Sequence, residues 1–201
     1  HMSHADIASA NNLLTSRAGT VASAFLRMCG IGIDASIIRR LTALRTKAIG
    51  HLAYVEPVLR EAVSPCFPRL CVEADGRNLV DGQRGMLIIA NSRQYALRID
   101  PAAEASMTDG LLDIVFFPCR TIAGAMRWML LSRTRMAGSA KVLRAQAKDI
   151  SIRSDDDAPY QLDGDAPGWV GDPQDLPRLL QPRPLSLSIT LSDLKLPVLL
   201  P

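Results

Sequence analysis

Two carboxylates separated by a single glycine are the residues of this chain best suited to chemistry. They are Asp163 and Asp165, on either side of Gly164 in the stretch YQLDGDAP, residues 160–167. A carboxylate that faces a substrate hydroxyl can accept its proton. An Asp-Gly pair is also the commonest signal for a tight hairpin, because glycine adopts positive φ without steric cost. The stretch by itself favours a turn, since short motifs match by chance often.

Composition excludes several other classes of function. The chain has 201 residues, a net charge of +3 and only 4% aromatic residues, so neither nucleic-acid binding nor base stacking is predicted. Its cysteines match no zinc-binding spacing, and His51 is the one non-terminal histidine, which argues against histidine-based catalysis. No apolar run has the length of a membrane span and no signal peptide is evident, so we expect a cytoplasmic protein with reduced thiols.

Three segments show a helical pattern. ADIASANNLL, residues 5–14, predicts a short helix. A helix or helix pair is predicted over 35–62 from the spacing of apolar residues, with Asp34 as its cap. TIAGAMRWMLLSRTRM predicts a further helix over 121–134, capped by Thr121.

The remaining segments are short, rich in β-forming residues and bounded by Gly, Pro, Asp or Asn. They are RLCVEADG, RNLVDG, GMLIIANS, LLDIVFFP, KDISIRS, PLSLSIT and LKLPVLLP, with two further strands around Ala22-Ser23. Gly30 and Gly32 should lie where a backbone or ligand comes close. DDDAP, residues 155–159, reads as a solvated loop. We therefore predict a mainly β fold, an antiparallel β-sandwich resembling a distorted barrel, with two helical insertions.

Three stretches in sequence order carry a family resemblance. They are GIGIDASIIRR followed by KAIGHLAYV, then IIANSRQYALRIDPAAEASMTDGLLDIVFF, then LDGD followed by LKLPVLLP. Together they resemble the C-terminal half of the diacylglycerol kinase family, which includes bacterial lipid kinases and sphingosine and ceramide kinases. The middle stretch is the most specific, with Asn91, Pro101, Ala103, Asp109-Gly110 and Leu112-Asp113 at the family's positions.

The resemblance implies a domain division. Residues 1–4 are set apart as a tail that resembles a cloning remnant, and residues 5–201 are expected to form a single C-terminal domain. Family members begin with a nucleotide-binding domain that carries a Gly-Gly-Asp-Gly-Thr loop, and nothing here matches that loop. The expected partners are therefore that N-terminal domain, which would bind ATP, and a lipid substrate.

The resemblance also implies roles for individual residues. Asp165 is expected to accept the proton of the lipid hydroxyl, at a position where the family more often has Glu, while Asp163 supports the turn. A Mg²⁺ ion is expected on the Asp109 carboxylate and the backbone carbonyls of Ser106 and Leu111. These are oxygen ligands, which suit Mg²⁺.

One departure from the family keeps two functions open. Ala96, Leu97 and Arg98 replace glycines that the family commonly has near the cleft between its domains. The first hypothesis is the substrate-side domain of a lipid kinase, inactive in isolation, and the second is a non-catalytic lipid-binding or interaction module. Arg127, Arg133 and Arg135 could bring the second helix to a membrane surface, but a core helix with a basic outer face explains the pattern better.

Overall fold

The computed structural model of the protein describes residues 2–13, 23–44, 64–93, 101–133, 142–167 and 180–199. Within these ranges the chain forms ten strands and two helices. The strands are β1 (Met2–Asn12), β2 (Ser23–Phe25), β3 (Met28–Ile31), β4 (Arg69–Ala74), β5 (Arg77–Ala90), β6 (Leu112–Pro118), β7 (Leu143–Ala147), β8 (Asp149–Ser154), β9 (Tyr160–Leu162) and β10 (Leu185–Leu199). The helices are α1 (Ile33–Leu44) and α2 (Ile122–Arg133).

The strands form one antiparallel sheet that curls into a nearly closed, barrel-like sandwich. Its order is β2-β1-β10-β8-β4-β5-β3-β9, with β6 on the other side of β5 and β7 beyond β6. The long strand β5 joins the two parts of the sheet. Its first half pairs with β4, and its second half lies between β3 and β6. The structure confirms the prediction, made from the sequence, of a mainly β, barrel-like sandwich with two helices.

Two apolar clusters explain why the central strands are so hydrophobic. Leu87 and Ile89 of β5 point into the interior of the barrel, whereas Met86 and Ile88 point outward into a second cluster. Successive side chains of a strand alternate between faces, so a strand buried on both faces must be apolar throughout. The second cluster includes Trp128, so α2 covers the outside of the β5–β6 region.

Both helices begin close to the predicted positions. The Thr121 hydroxyl accepts a hydrogen bond from the Gly124 N–H at 3.1 Å and caps α2 as expected. Asp34 lies one residue inside the first turn of α1, where its carboxylate accepts the Ala35 N–H at 2.8 Å. Residues 45–62 of the helix or helix pair predicted over 35–62 lie outside the described residues.

The helix predicted over residues 5–14 is wrong, because this segment lies mostly in β1. Its alanines favour a helix locally, but Ala8 and Ala10 are buried on one face of the sheet. Residues 2–4, set apart as a tail, form the start of the same strand and pair with β10. The partner strand lies near the opposite end of the chain, so only long-range pairing decides this segment.

Two other expectations need correction. RNLVDG and most of GMLIIANS lie in the single strand β5, and most of PLSLSIT and the described part of LKLPVLLP lie in the single strand β10. The DDDAP segment is not merely solvated: both guanidinium Nη atoms of Arg39 bind the Asp157 carboxylate, at 3.1 and 2.8 Å. The neighbouring Asp156 carboxylate accepts the Arg69 N–H at 2.9 Å. These carboxylates tie α1 and β4 to the loop before β9.

No helix in the described part of the chain is long and apolar enough to cross a membrane. Trp128 of α2 is buried, and its indole N–H donates to the Pro118 carbonyl at 3.3 Å. Arg127 lies on the outer side, with its guanidinium 5.8 Å from the centre of the Trp128 ring. These contacts agree with a helix that packs on the core and carries a basic outer face.

The four free thiols should differ in reactivity. Burial raises the pKa of Cys119 to about 11 and that of Cys29 well above the ordinary value, with Asp34 and Asp163 adding to the effect at Cys29. The thiolate is the reactive form, so we expect iodoacetamide at mildly alkaline pH to label the half-buried Cys66 and Cys71 first. Peptide mass spectrometry would measure this order. Equal labelling of all four thiols in the folded protein would contradict it, and labelling in denaturant is the control.

Candidate functional site

The Asp-Gly pair after β9 forms a tight turn, as its sequence predicts. The Leu162 N–H donates to the Asp165 carbonyl at 3.0 Å, and the Asp165 N–H donates to the Leu162 carbonyl at 2.9 Å. Asp163 and Gly164 both have positive φ, 51° and 93°, which is the backbone of a type I′ turn. A Cβ at Gly164 would meet nothing within 4 Å, so glycine is needed there for its backbone conformation.

Asp163 anchors this turn to the neighbouring strand. Its Oδ1 accepts the backbone N–H groups of Arg27 and Met28 at 2.8 and 2.9 Å. Its Oδ2 accepts the Leu26 N–H at 2.8 Å, and its own N–H donates to the Met28 carbonyl at 2.9 Å. A carboxylate is suited to this task because it can accept several hydrogen bonds at once. The structure therefore agrees with a supporting role for Asp163.

A second Asp-Gly turn, between β4 and β5, uses its aspartate in the same way. Asp75 and Gly76 have φ values of 45° and 74°. The Asp75 carboxylate accepts the N–H groups of Lys148 and Asp149 at 3.1 and 2.9 Å. In both Asp-Gly turns, the aspartate before the glycine therefore has a structural role. What distinguishes the turn after β9 is the acid that follows the glycine, Asp165, whose side chain is exposed.

The loop that contains Asp109 is held by Asp6, a residue that the sequence did not single out. Asp6 is only 1% exposed, and its Oδ2 accepts the Gly110 N–H at 2.8 Å. Its own N–H donates to the Met107 carbonyl at 2.6 Å, and its Oδ1 pairs with the Lys195 ammonium at 2.8 Å. The prediction of a helix at residues 5–14 concealed this role, because the aspartate is placed by the pairing of β1 with β10.

Asn91 connects the two loops. It is fully buried, and its amide nitrogen donates to the carbonyls of Asp6 and Leu26, each at 2.8 Å. Its backbone N–H donates to the Arg27 carbonyl at 2.8 Å. Asn91 therefore links the strand that holds the Asp109 loop to the segment that Asp163 anchors. The family motif contains Asn91, but nothing in the sequence indicated this task.

Strand register places the two turns at the same end of the sheet. Met28 of β3 lies opposite Ala90 of β5, and Ala90 lies opposite Asp113 of β6. The turn after β9 adjoins Met28, and the Asp109 loop leads directly into β6. Neighbouring strands are about 4.8 Å apart, so three strand spacings put the turn roughly 15 Å from the start of β6. Asp165 and Asp109 thus lie at the same end of the sheet.

The predicted metal ligands offer oxygen atoms on an exposed loop. Asp109 Oδ1 accepts the Leu111 N–H at 3.1 Å, and the Ser106 hydroxyl lies 3.2 Å from that of Thr108. The described residues contain no group of three or more His, Cys, Asp or Glu side chains arranged for a metal. One carboxylate with backbone carbonyls and water fits a hydrated Mg²⁺, so the donor chemistry is compatible with the expectation. Asp109, Ser106 and Leu111 remain predicted ligands.

Asp113, at this end of the sheet, has a raised pKa. Burial is the main cause that raises it, and the charges of Asp109 and Glu104 add to the effect. Its Oδ1 accepts a hydrogen bond from the Gln146 amide at 3.3 Å, while its Oδ2 is buried without a hydrogen-bond partner among the described residues. The Leu112 side chain points into the interior, so Asp113 projects from the opposite face of β6.

Gly32 lies where a backbone comes close, as expected, because a Cβ there would be 3.3 Å from the Gly85 carbonyl oxygen. At Gly30 side chains come close, and not a backbone or a ligand. A Cβ there would collide with Asp34 Oδ2 and lie 2.8 Å from the Gln161 amide nitrogen. Gln161 is buried and bridges two elements. Its Oε1 accepts the Gly164 N–H at 2.7 Å, and its Nε2 contacts Asp34 Oδ2 at 3.3 Å. The turn is thereby connected to α1. Gly32 has a φ of 104°, which also favours glycine.

Replacing one of the two carboxylate oxygens of Asp163 should destabilise the fold. We expect Asp163→Asn to lower the free energy of unfolding by about 2 kcal/mol, because an amide NH₂ would face a backbone N–H that has lost its acceptor. Asparagine tolerates positive φ, so the backbone itself is not the cause. Asp165→Asn, on the same turn, should change stability by less than about 0.5 kcal/mol. Urea denaturation measures both, and equal effects would contradict the division of roles.

Asp113 should make stability depend on pH. Its pKa is raised in the folded state, so the native protein binds more protons than the unfolded chain between the ordinary value, 3.8, and the raised one. The stabilising contribution is present below pH 3.8 and is lost as the pH rises through the raised pKa. We therefore expect the stability of Asp113→Asn relative to the wild type to increase over this range. Urea denaturation at several pH values measures the difference, and a flat difference would contradict the prediction.

Comparison with known proteins gives the family. The sequence profile described as the YegS C-terminal NAD kinase beta sandwich-like domain matches residues 28–190. No curated protein matches the sequence. Among solved structures, a protein from Bacillus anthracis strain Sterne assigned as a diacylglycerol kinase superposes with a TM-score of 0.58 at 16% identity, over 96% of this chain and 55% of that one.

Another structure of a diacylglycerol kinase from Bacillus anthracis strain Sterne gives a TM-score of 0.50 at 16% identity, over 95% of this chain and 51% of that one. At this identity the superpositions show the fold. The chain spans about half the length of the proteins that it matches. The residues matched by the profile make up most of the chain and include β3, β5, β6 and the turn after β9. The chain therefore belongs to the family of YegS C-terminal, NAD kinase-like β-sandwich domains.

Proposed function

We propose that this chain is the substrate-side domain of an ATP-dependent lipid kinase that phosphorylates a lipid hydroxyl, such as that of a diacylglycerol- or sphingosine-like acceptor. The observation that carries the proposal is the position of Asp165. Its side chain is exposed, and it follows a turn whose anchoring is performed by Asp163. The similarity to proteins named diacylglycerol kinases supports the same class of reaction.

In this proposal Asp165 is the proton acceptor. The lipid hydroxyl oxygen attacks the γ-phosphorus of ATP, the bond from that phosphorus to the bridging oxygen breaks, and ADP leaves. The hydroxyl proton passes to the Asp165 carboxylate. A carboxylate is a weak base, but it suffices when the transition state is loose and the proton moves late. The two backbone hydrogen bonds to Leu162 hold the Asp165 backbone in place.

Mg²⁺ would be held by the Asp109 carboxylate and the carbonyls of Ser106 and Leu111, and when bound it would offset negative charge at this end of the domain. Asp6 supports this role because it fixes the loop through the Gly110 N–H. The loop would therefore present its oxygens without a large rearrangement on binding.

ATP would be bound mainly by an N-terminal nucleotide-binding domain. The exposure of two leucines on β10 supports such a partner: Leu194 and Leu196 are 72% and 40% exposed. They are two residues apart on a strand and share one face, while Lys195 between them pairs with Asp6. Exposed apolar residues of this kind commonly mark an interface. We expect the isolated chain to show no turnover with ATP and diacylglycerol, since half of the site would be missing.

The non-catalytic lipid-binding module remains the second candidate. The replacement of the family's glycines by Ala96, Leu97 and Arg98 motivates it, and these residues lie outside the described ranges. Reading the coding sequence upstream of Ala5 separates the two functions. A Gly-Gly-Asp-Gly-Thr loop there supports the kinase, and its absence supports the module.

Asp165→Asn should abolish most of the activity of the full gene product. We expect kcat with ATP and a diacylglycerol or sphingosine acceptor to fall by at least about 100-fold, because the proton acceptor is lost. The KM for ATP should change little. Asp165→Glu should retain activity, since it keeps the carboxylate. Radiolabelled phosphate transfer measures these rates.

The matched control is Asp81→Asn, which removes an exposed carboxylate next to another glycine of positive φ. It should leave turnover unchanged. If Asp165→Asn is as active as the wild type, Asp165 has no part in the reaction. If the wild-type gene product itself transfers no phosphate to any lipid acceptor, the interaction module is the better account.

A further inference from the structure

A cavity of about 610 Å³ lies beside residues 82–84, in the middle of β5 and away from Asp165. Three arginines line it, together with a stretch of β5 and the residues that follow β6. The lining residues are Arg69, Gly82, Gln83, Arg84, Pro118, Cys119 and Arg120. Arg84 precedes Ala90 by six residues of strand, so this cavity lies roughly 20 Å from the turn and loop near Ala90.

Two of the arginines lie on the adjacent strands β4 and β5, and the third, Arg120, follows the neighbouring strand β6. Arg69 of β4 lies directly opposite Arg84 of β5 in the register. Gly85 pairs with Pro118 at the end of β6, which brings Arg120 to the same place. Like charges directly opposite each other on neighbouring strands destabilise a sheet. A cluster of this kind is unfavourable unless an anion offsets its charge.

Acidic residues of the described chain neutralise this cluster only in part. The Arg84 Nη1 lies 3.4 Å from Asp156 Oδ2, and the two side chains are 37% and 36% exposed, so the pair is a weak surface ion pair. The same Nη1 donates to the Phe67 carbonyl at 2.9 Å. Within the described residues, the side chains of Arg69 and Arg120 form no ion pair, and both residues are exposed. Two guanidinium groups are therefore available to a ligand.

Asp156 does not depend on Arg84 for its position. Its Oδ2 also accepts the Arg69 backbone N–H at 2.9 Å, and its own N–H is bound by the Ser154 hydroxyl at 3.2 Å. Arg84 could exchange its weak contact with Asp156 for an anion without releasing the loop. The cavity volume is in the range of small-molecule sites, so it accommodates an anion together with an organic group.

We propose that the cavity lined by Arg69, Arg84 and Arg120 binds a phosphate group, either a free phosphate or the headgroup of a lipid. The planar guanidinium group binds phosphate through two parallel N–H donors, which is why arginine rather than lysine favours this ligand. Gly82 has no atom near the position of a Cβ, so it leaves the wall of the cavity open. The site is separate from Asp165 and does not depend on the proposed kinase activity.

The test removes the two available arginines together. Both are exposed, so Arg69→Gln/Arg120→Gln should fold normally, which circular dichroism checks. The matched control is Arg77→Gln/Lys148→Gln, which removes the same charge at exposed positions outside the cavity. Calorimetric titration with inorganic phosphate measures the binding of free phosphate. Flotation with phosphatidylcholine vesicles that contain phosphatidic acid measures the binding of a lipid headgroup. Vesicles of phosphatidylcholine alone provide the baseline.

We expect the cavity variant to weaken binding by about tenfold for each arginine removed, with the control variant unchanged. Loss confined to the calorimetric titration supports free phosphate as the ligand. Loss of vesicle binding, with competition by free phosphate in the wild type, supports the lipid headgroup. Absence of binding in both assays overturns the proposal. Equal weakening by the two double variants also overturns it, because it would reflect net charge and not this cavity.

Discussion

The end of the sheet that carries Asp165 and Asp109 depends on hydrogen bonds from buried or anchoring polar side chains to the backbone of neighbouring loops. Asp163 accepts the N–H groups of residues 26–28, Asn91 donates to the carbonyls of Asp6 and Leu26, and Asp6 accepts an N–H of the loop before β6. Backbone groups in loops have no regular ladder to satisfy them, and leaving them unpaired in the interior is costly. These side chains supply the missing partners and so give irregular segments a single conformation.

This arrangement distinguishes two carboxylates that hold loops from a third, Asp165, that is exposed. Asp163 and Asp6 use both carboxylate oxygens on the protein itself, which suits them to hold loops and not to receive a substrate proton. Asp165 stands on a turn that is already anchored, with its side chain exposed. The Asp75 turn shows the same anchoring by the first aspartate, with Arg77 following its glycine. The exposed acid after Gly164 is thus the feature that the Asp75 turn lacks.

The strand β5 connects two regions of opposite charge. Its C-terminal end adjoins the acidic loops, and the stretch around Arg84 adjoins the arginine-lined cavity. Residues 85–90 of the strand are buried on both faces, which makes them a rigid connection between the two regions. An anionic lipid held by the arginines and a hydroxyl presented to Asp165 would need different parts of the surface. The phosphate site is consequently better suited to anchoring or to a second ligand than to the reacting group.

The sequence alone determined what depends on neighbouring residues. The Asp163-Gly164 turn, the capping of α2 by Thr121 and the β-rich character of GMLIIANS follow from local backbone preferences and apolar runs, and all three are present. The family resemblance followed from motifs in a fixed order. Local patterns could not determine β1, whose alanines favour a helix, nor the tasks of Asp6 and Asn91. Those depend on the pairing of β1 with β10 and on contacts between residues 85 positions apart in the chain. Only tertiary structure decides such contacts, because the free energy of burying a polar group depends on which distant partners surround it.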